Sequence, residues 1–561
     1  MLVVFFCCVL SAQQKKSMVY LEQSATLSFD ENRMPDAQIL RGDVRFRHDS
    51  ALMYCDSAYF FQNDNSLHAF GNVRLVQGDS LEGFGDVLYY NGNTKLAKFR
   101  SRVRLIHKKT VLTTDSLNYD RAKDIAYYFS GGEIKDSLNT LTSSWGQYTP
   151  SNDQALFRGN VLLVHPKFTL ESDTLLYNTS TYQADLVCPT RILYEKETTI
   201  LSSNGWYNTK SECSMLLDRS QVIHEDGKTL TGDTIFYDKH LGYGNVIGNM
   251  ESVDSTRQVT LYGNKGEIWE DDNHGYATDS AMLVDWSDSL KYTYMHADTL
   301  FTAKIPYTTY KLTMVDSVLV DSVWMQPDPD TIWVDTSYMK VRAFYNVRIY
   351  REDVQMVCDS AHYNGRDSIV TLCGDPVCWN EDQQVSADTI TVYFKNEEID
   401  HIHGVGNAIA IKQEGLNEYN QLAGKEMFAF LKDGDINIVE VNGNAETIFY
   451  PREDDGTYLG LNKTQSSFVK IFFEDRNIHH VLFTTATTGV MIPMSQTVEQ
   501  DRYLLTFFWA DHERPRQPGD IFLNPHRTPR PDAQSASAIE EEDVEEDEDK
   551  GKSGKKRDTN K

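Results

Sequence analysis

The sequence predicts an all-β fold, an elongated stack of two-stranded rungs repeating about every 29–30 residues. Three observations carry this. A segment of the form Asp, Ser or Thr, apolar, any residue, Tyr, Asn or Asp recurs along the chain. A second segment, Gly, Asn or Asp, Val and then alternating residues, recurs in phase with it. The 561 residues also include 30 Tyr and 26 Phe, an abundance that favours strands.

The first segment reads DSLNYD at Asp115, DTLLYN at Asp173, DTIFYD at Asp233 and DSAHYN at Asp359. Looser copies are DVLYYN at Asp86, SWGQYT at Ser144, SNGWYN at Ser203 and DTITVY at Asp388. From Asp56 to Asp233 successive starts are 29 or 30 apart. The second segment reads GDVRFRH at Gly42, GNVRLVQ at Gly71, SRVRLIH at Ser101, GNVLLVH at Gly159 and YNVRIYR at Tyr345. Period-two alternation makes both segments strands. A lone strand pair is marginal in water, so the pairs must stack to bury their apolar sides.

The chain divides accordingly. Residues 1–12 read as a signal peptide: Leu2 to Leu10 is an apolar run too short to span a bilayer and suited to a secretory signal, with a buried strand as the alternative. A repeat array covers 36–300, an irregular insertion or extra hairpin 301–339, and a second array 340–450. Residues 451–530 read as further strands and a short helix, the helix carried by Leu504, Leu505, Phe508 and Trp509 before Pro515. The tail 531–561, with 11 acidic and 6 basic residues, reads as disordered.

Period-two alternation aligns Val44 with Phe46, Val73 with Leu75, Val103 with Leu105, Val161 with Leu163 and Val347 with Ile349. Three positions before the repeated Asp stand Met53, Leu112, Leu170, Leu230, Met356 and Val385. Together these residues predict a continuous apolar stripe, which is a packed core if the sheets close and a lipid-holding groove if they splay. The parity of the stripe changes at the Asp, which calls for a bend or bulge there.

Other chemistry finds little footing. A net charge of -28 argues against nucleic acid as a partner. One Asp per rung lacks the clustered loop of a calcium site and reads as a turn or solvent-facing residue. His401 and His403, and His479 and His480, have no third ligand at suggestive spacing, so no metal and no cofactor is expected. Nucleotide loops and nucleophile elbows are missing, so the chain reads as non-enzymatic. The six Cys outside the signal are too sparse for a disulfide scaffold; buried thiols or a single disulfide would account for them.

The phased Gly-Asn-Val and Asp-Ser/Thr-Leu-x-Tyr segments from Gln38 to Tyr450, behind an export signal, resemble the OstA-like family. Its members include the periplasmic bridge protein of lipopolysaccharide transport and the periplasmic domain of the outer-membrane translocon. The long form, with YNVRIYRED leading to CDSAHYN, resembles OstA-like proteins of Bacteroidetes-type bacteria. The resemblance implies an open, twisted β-jellyroll carrying the lipid moiety of lipopolysaccharide in its groove, in the periplasm and in association with the outer membrane. It implies the other transport components, the outer-membrane translocon among them, as partners, and leaves open end-to-end joining of copies through edge strands. Two features depart from it: the chain has many more rungs than a single bridge protein, and its acidity requires divalent cations or purely acyl-directed contact. A structural or adhesive repeat protein with a closed core is the alternative, and a divalent-ion or carbohydrate-binding repeat enzyme ranks third.

Overall fold

A computed structural model describes residues 17–32, 34–270, 274–313, 318–320, 323–325, 330–395, 398–432, 435–453, 455–474 and 477–527. The expected signal 1–12 and the charged tail 531–561 lie outside the described residues. The chain forms two compact units, Met1–Ile247 and Gly248–Lys561. Both are built from antiparallel strands.

In the first unit the strands follow one another as a meander. Met34–His48 pairs with Ala51–Phe61, then come Ser66–Gln77, Leu81–Asn91, Leu96–His107 and Thr110–Asp120, each hydrogen-bonded to the one before. Every pairing skips register in the middle. Arg41 faces Ser57 and Val44 faces Cys55, so Gly42 and Asp43 together oppose the single Asp56. Further along, Gly159 and Asn160 oppose Asp173 in the same way.

This two-against-one bulge explains both sequence motifs. Gly71 and Asn72 have φ of 75° and 42°, and Gly159 and Asn160 have 75° and 51°. Glycine enters this left-handed region freely, and Asn and Asp tolerate it better than other side chains do. At Gly71 a Cβ would also lie 2.5 Å from Asp56 Oδ2. The repeated Asp then holds the corner: Asn72 Nδ2 donates to Asp56 Oδ2 at 2.8 Å, and Ser101 Oγ donates to Asp86 Oδ2 at 2.7 Å. Bulges bend the strands that carry them. The meander is thereby creased along its length into two half-sheets that face each other, and the bend the parity predicts is found on the strand opposite the Asp. Beyond Asp120 some strands break outright at the crease, as between Ile125–Tyr128 and Gly132–Lys135.

The second unit repeats the device. Glu398–Gln413, Tyr419–Lys432, Asp435–Phe449 and Leu461–Glu474 pair in order, with left-handed corners at Gly406 and Asn407 and at Gly443 and Asn444. Asn407 Nδ2 reaches Asp388 Oδ1 at 3.3 Å. Residues 301–339 include paired strands, from Thr299 opposite Phe344 to Thr313 opposite Asp330, so the extra hairpin describes them better than an irregular insertion. The Tyr307 and Tyr338 rings stand 5.6 Å apart on it, and those of Tyr310 and Trp333 stand 6.0 Å apart.

One expectation is corrected. Residues 500–515 form no α-helix: they run as a strap with single 3-10 turns at Glu499–Asp501 and Asp511–Glu513. Leu504, Phe508 and Ala510 are buried against Val357, Val377, Trp379, Ile409, Ile411 and Ile448. Two sheet glutamines hold the strap. Gln384 donates to Phe508 O at 2.8 Å and accepts from Ala510 N at 2.8 Å; Gln421 donates to Arg502 O at 2.7 Å and accepts from Leu504 N at 2.8 Å. Backbone groups matched by side-chain amides need no helical partners. The run Phe507, Phe508, Trp509 also has only middling helix propensity.

Candidate functional site

The predicted stripe exists as rows of directly opposed side chains on one face of the creased sheet. In the first unit the row runs Phe46, Met53, Leu75, Gly83, Leu105, Leu112, Ile134, Leu141, Leu163, Leu170 and Ile192, each opposite the next. It continues through Ile200, Val222 and Leu230. Burial divides it sharply. From Phe46 to Ile192 every row residue is sealed from solvent, whereas Ile200, Val222 and Leu230 are half-buried. Val44, Val73, Val103 and Val161, beside the crease, are sealed as well.

The sealed stretch is closed along the side opposite the crease, where the two ends of the strands meet. His48 Nδ1 and Tyr90 Oη are 2.6 Å apart, and Arg121 donates to Tyr90 Oη at 2.6 Å and to Gln77 Oε1 at 2.7 Å. Lys95 pairs with Asp49 at 2.8 Å. His107 Nδ1 meets Tyr148 Oη at 2.8 Å, and Lys108 pairs with Asp153 at 2.9 Å. Tyr177 Oη donates to Asp136 Oδ2 at 2.7 Å while Asn139 Nδ2 donates to Tyr177 Oη at 2.7 Å. Lys167 pairs with Glu212 at 2.5 Å, and Tyr194 Oη donates to the same carboxylate at 3.0 Å. Tyr90, Tyr148 and Tyr177, motif tyrosines at strand ends, are thus latches: their rings are buried and their hydroxyls bond the opposite lip.

Electrostatics follow from this burial. Burial lowers the pKa of His48 and of His107 and raises those of Tyr90 and Tyr177. It pushes Tyr148 up to about 12. At the more open Asp49, hydrogen bonds from Lys95 and Ser17 bring the carboxyl down to about 2. Burial alone would push Glu212 up, but the bonds from Lys167 and Tyr194 outweigh it and leave the carboxyl below its ordinary value.

The second unit presents a different face. Its row runs Leu261, Leu283, Met295, Ile349, Met356, Cys378, Val385, Ala410 and Leu422, and all nine are half-buried. Val347 beside the crease is sealed. Here the neighbours pointing the other way are the sealed ones: Val357, Val377, Ile409 and Ala423, beneath the strap. Residues that look alike in the sequence therefore meet different surroundings. Leu170 lies in a filled interior, while Met356 and Val385 are half-buried.

Sequence reasoning missed the latch residues and the strap-binding glutamines. The near-constant spacing of some 41 or 42 positions between each latch tyrosine and its partner was the available signal for the former. His401 and His403 stack on Tyr393 and Phe428 at 4.2 and 4.0 Å between ring centroids. Cys55 and Cys358 are buried free thiols, and burial pushes the Cys55 thiol up to about 12. An open cleft of about 610 Å³ among Glu171, Asp173, Arg191, Arg219 and Gln221 is charged and shares no residue with either apolar row.

These features define a class: a creased, antiparallel β-jellyroll of stacked rungs with an apolar interior row. Residues 16–173 match the family model described as OstA-like protein. That match includes the sealed row from Phe46 to Leu170. No curated protein matches significantly. Solved structures that match include LptH from Pseudomonas aeruginosa, the LptA-homologous periplasmic component of the conserved lipopolysaccharide transport device. It is 15% identical, covers 25% of this chain and 96% of its own, and has a TM-score of 0.20.

Proposed function

We propose that the chain is a non-enzymatic, periplasmic lipid-binding conduit in lipopolysaccharide transport to the outer membrane, working with other components of that transport and with an outer-membrane translocon. The half-buried row from Leu261 to Leu422 carries this reading. An apolar face left partly wet is unfavourable by itself and becomes favourable when acyl chains cover it, at roughly 0.8 kcal/mol per buried methylene. The OstA-like match of residues 16–173 supports the transport context.

The test is photocrosslinking in cells. Crosslinkers replacing Met356, Val385 or Leu422 are expected to capture lipopolysaccharide, with the same lipid identified by mass spectrometry in the purified protein. Capture only at an outward position such as Arg74 would sink the reading. A second reading, a structural repeat protein without cargo, draws on the sealed interior from Phe46 to Ile192. It expects no lipid at any of these positions and no change in outer-membrane permeability on depletion.

A further inference from the structure

The row of the first unit changes from sealed to half-open between Ile192 and Ile200, and a distinct group of side chains stands at that point. Phe168, from one half-sheet, packs edge-on against Tyr207 of the other, ring centroids 4.8 Å apart, and both are buried. Above them Glu212, only 8% exposed, receives Lys167 Nζ at 2.5 Å and Tyr194 Oη at 3.0 Å. Lys167 and Tyr194 belong to one lip and Glu212 to the other, so the carboxylate joins the lips while the two rings fill the space beneath. Tyr194 is two positions from Ile192, the last sealed member of the row, and pairs with Thr198, two before Ile200.

We infer that this group is the end stop of an acyl-chain site: the Phe168 and Tyr207 rings block the interior, and the Lys167, Glu212 and Tyr194 tie holds the lips shut over them. A chain lying on Leu230, Val222 and Ile200 then finds roughly 10 Å of open row, three strands at about 4.8 Å spacing, before it meets the stop. This inference rests on the lipid-binding reading above and deepens it by assigning residues that limit how far the hydrocarbon penetrates. Glu212, Lys167 and Tyr194 are positioning residues in this scheme; none is required to touch lipid.

The experiment uses the full chain and purified lipopolysaccharide micelles, with photocrosslinkers replacing Leu230, Leu170 or Leu422. In the unaltered background, capture is expected at Leu230 and Leu422 and only background at Leu170. In Glu212→Ala, and more weakly in Tyr194→Phe, capture at Leu170 is expected to rise toward the level at Leu230. Unfolding midpoints identify any variant that has lost its fold, and Tyr194→Phe, which keeps the ring, decides the question if Glu212→Ala has. Equal capture at Leu170 and Leu230 in the unaltered background overturns the stop, as does no gain at Leu170 in a folded variant. Capture at Leu422 without capture at Leu230 overturns it too, while silence at both positions overturns the lipid-binding reading itself.

Discussion

Tyr90 Oη lies 2.6 Å from His48 Nδ1, bonding the ends of two strands 42 positions apart. Arg121 already donates to the same hydroxyl at 2.6 Å. The tyrosine proton is therefore directed at His48, whose burial favours the neutral ring that can accept it. Tyr90→Phe keeps the ring and removes the bridge, leaving a buried imidazole and a guanidinium short of a partner. The expected loss is about 1–3 kcal/mol, seen as a lower urea midpoint with an unchanged β-sheet circular dichroism spectrum.

Acid should loosen this closure. Burial is the first cause of the lowered pKa of His48, His107 and His165, from an ordinary 6.5. Around His48, Asp49 opposes the shift while Arg121 and Lys95 reinforce it. Between the folded and unfolded values the unfolded chain binds more protons, so stability is complete above about pH 6.5 and falls below it. Asp49, held at about 2 against an ordinary 3.8, adds a second loss as pH drops through that interval. Urea midpoints from pH 8 to 4 are expected to be level and then descend, less steeply in the double variant His48→Gln, His107→Gln. A midpoint independent of pH across 7 to 5 would refute this.

The crease should distinguish between glycines. Gly71 has a φ of 75° and Asp56 Oδ2 where a Cβ would go, while Gly78 has a φ of 60° and open space. Left-handed backbone costs a non-glycine residue roughly 1–2 kcal/mol. Gly78→Ala should lose about that much, and Gly71→Ala distinctly more, because the corner carboxylate must also move. Equal unfolding midpoints for the two would contradict the corner geometry.

The strap supplies a prediction about protease sensitivity. Gln384 is 1% exposed and bonds both Phe508 O and Ala510 N. Gln384→Ala removes the side-chain amide that bonds both strap backbone groups, at about 1–3 kcal/mol for each bond lost. Trypsin is expected to cut at Arg502 or Arg516 faster than in the parent chain, with the sheet strands still resistant. Unchanged cleavage would mean that the apolar contacts of Leu504 and Phe508 suffice.

The repeat period, the strand identity of both motifs and the bend at the Asp were legible because they rest on local rules: alternation, glycine at a left-handed corner, and a carboxylate within reach of an amide. The interior row was legible for the same reason, down to the members Met53, Leu112 and Leu170. What the row encloses was not. Leu170 and Met356 hold the same place relative to their Asp, yet one is sealed and the other half-open, because the difference lies in strand-end partners and in a strap more than a hundred residues further along. The strap itself misled by periodicity: Leu504 and Phe508 are four apart, as on a helix face, but their backbone is satisfied by glutamines whose positions no local pattern reveals.

The corner device has an evolutionary corollary. At Asp56 and Asp86 the bend is locked by a carboxylate only 16 and 15 positions from its amide or hydroxyl partner. Deleting one period, from Gly42 to Phe70, would splice Arg41 directly onto Gly71 and restore an intact corner facing Asp86. Duplication would do the same in reverse. Such a chain can gain or shed rungs by unequal recombination without repairing its turns, because each rung contacts only its neighbours.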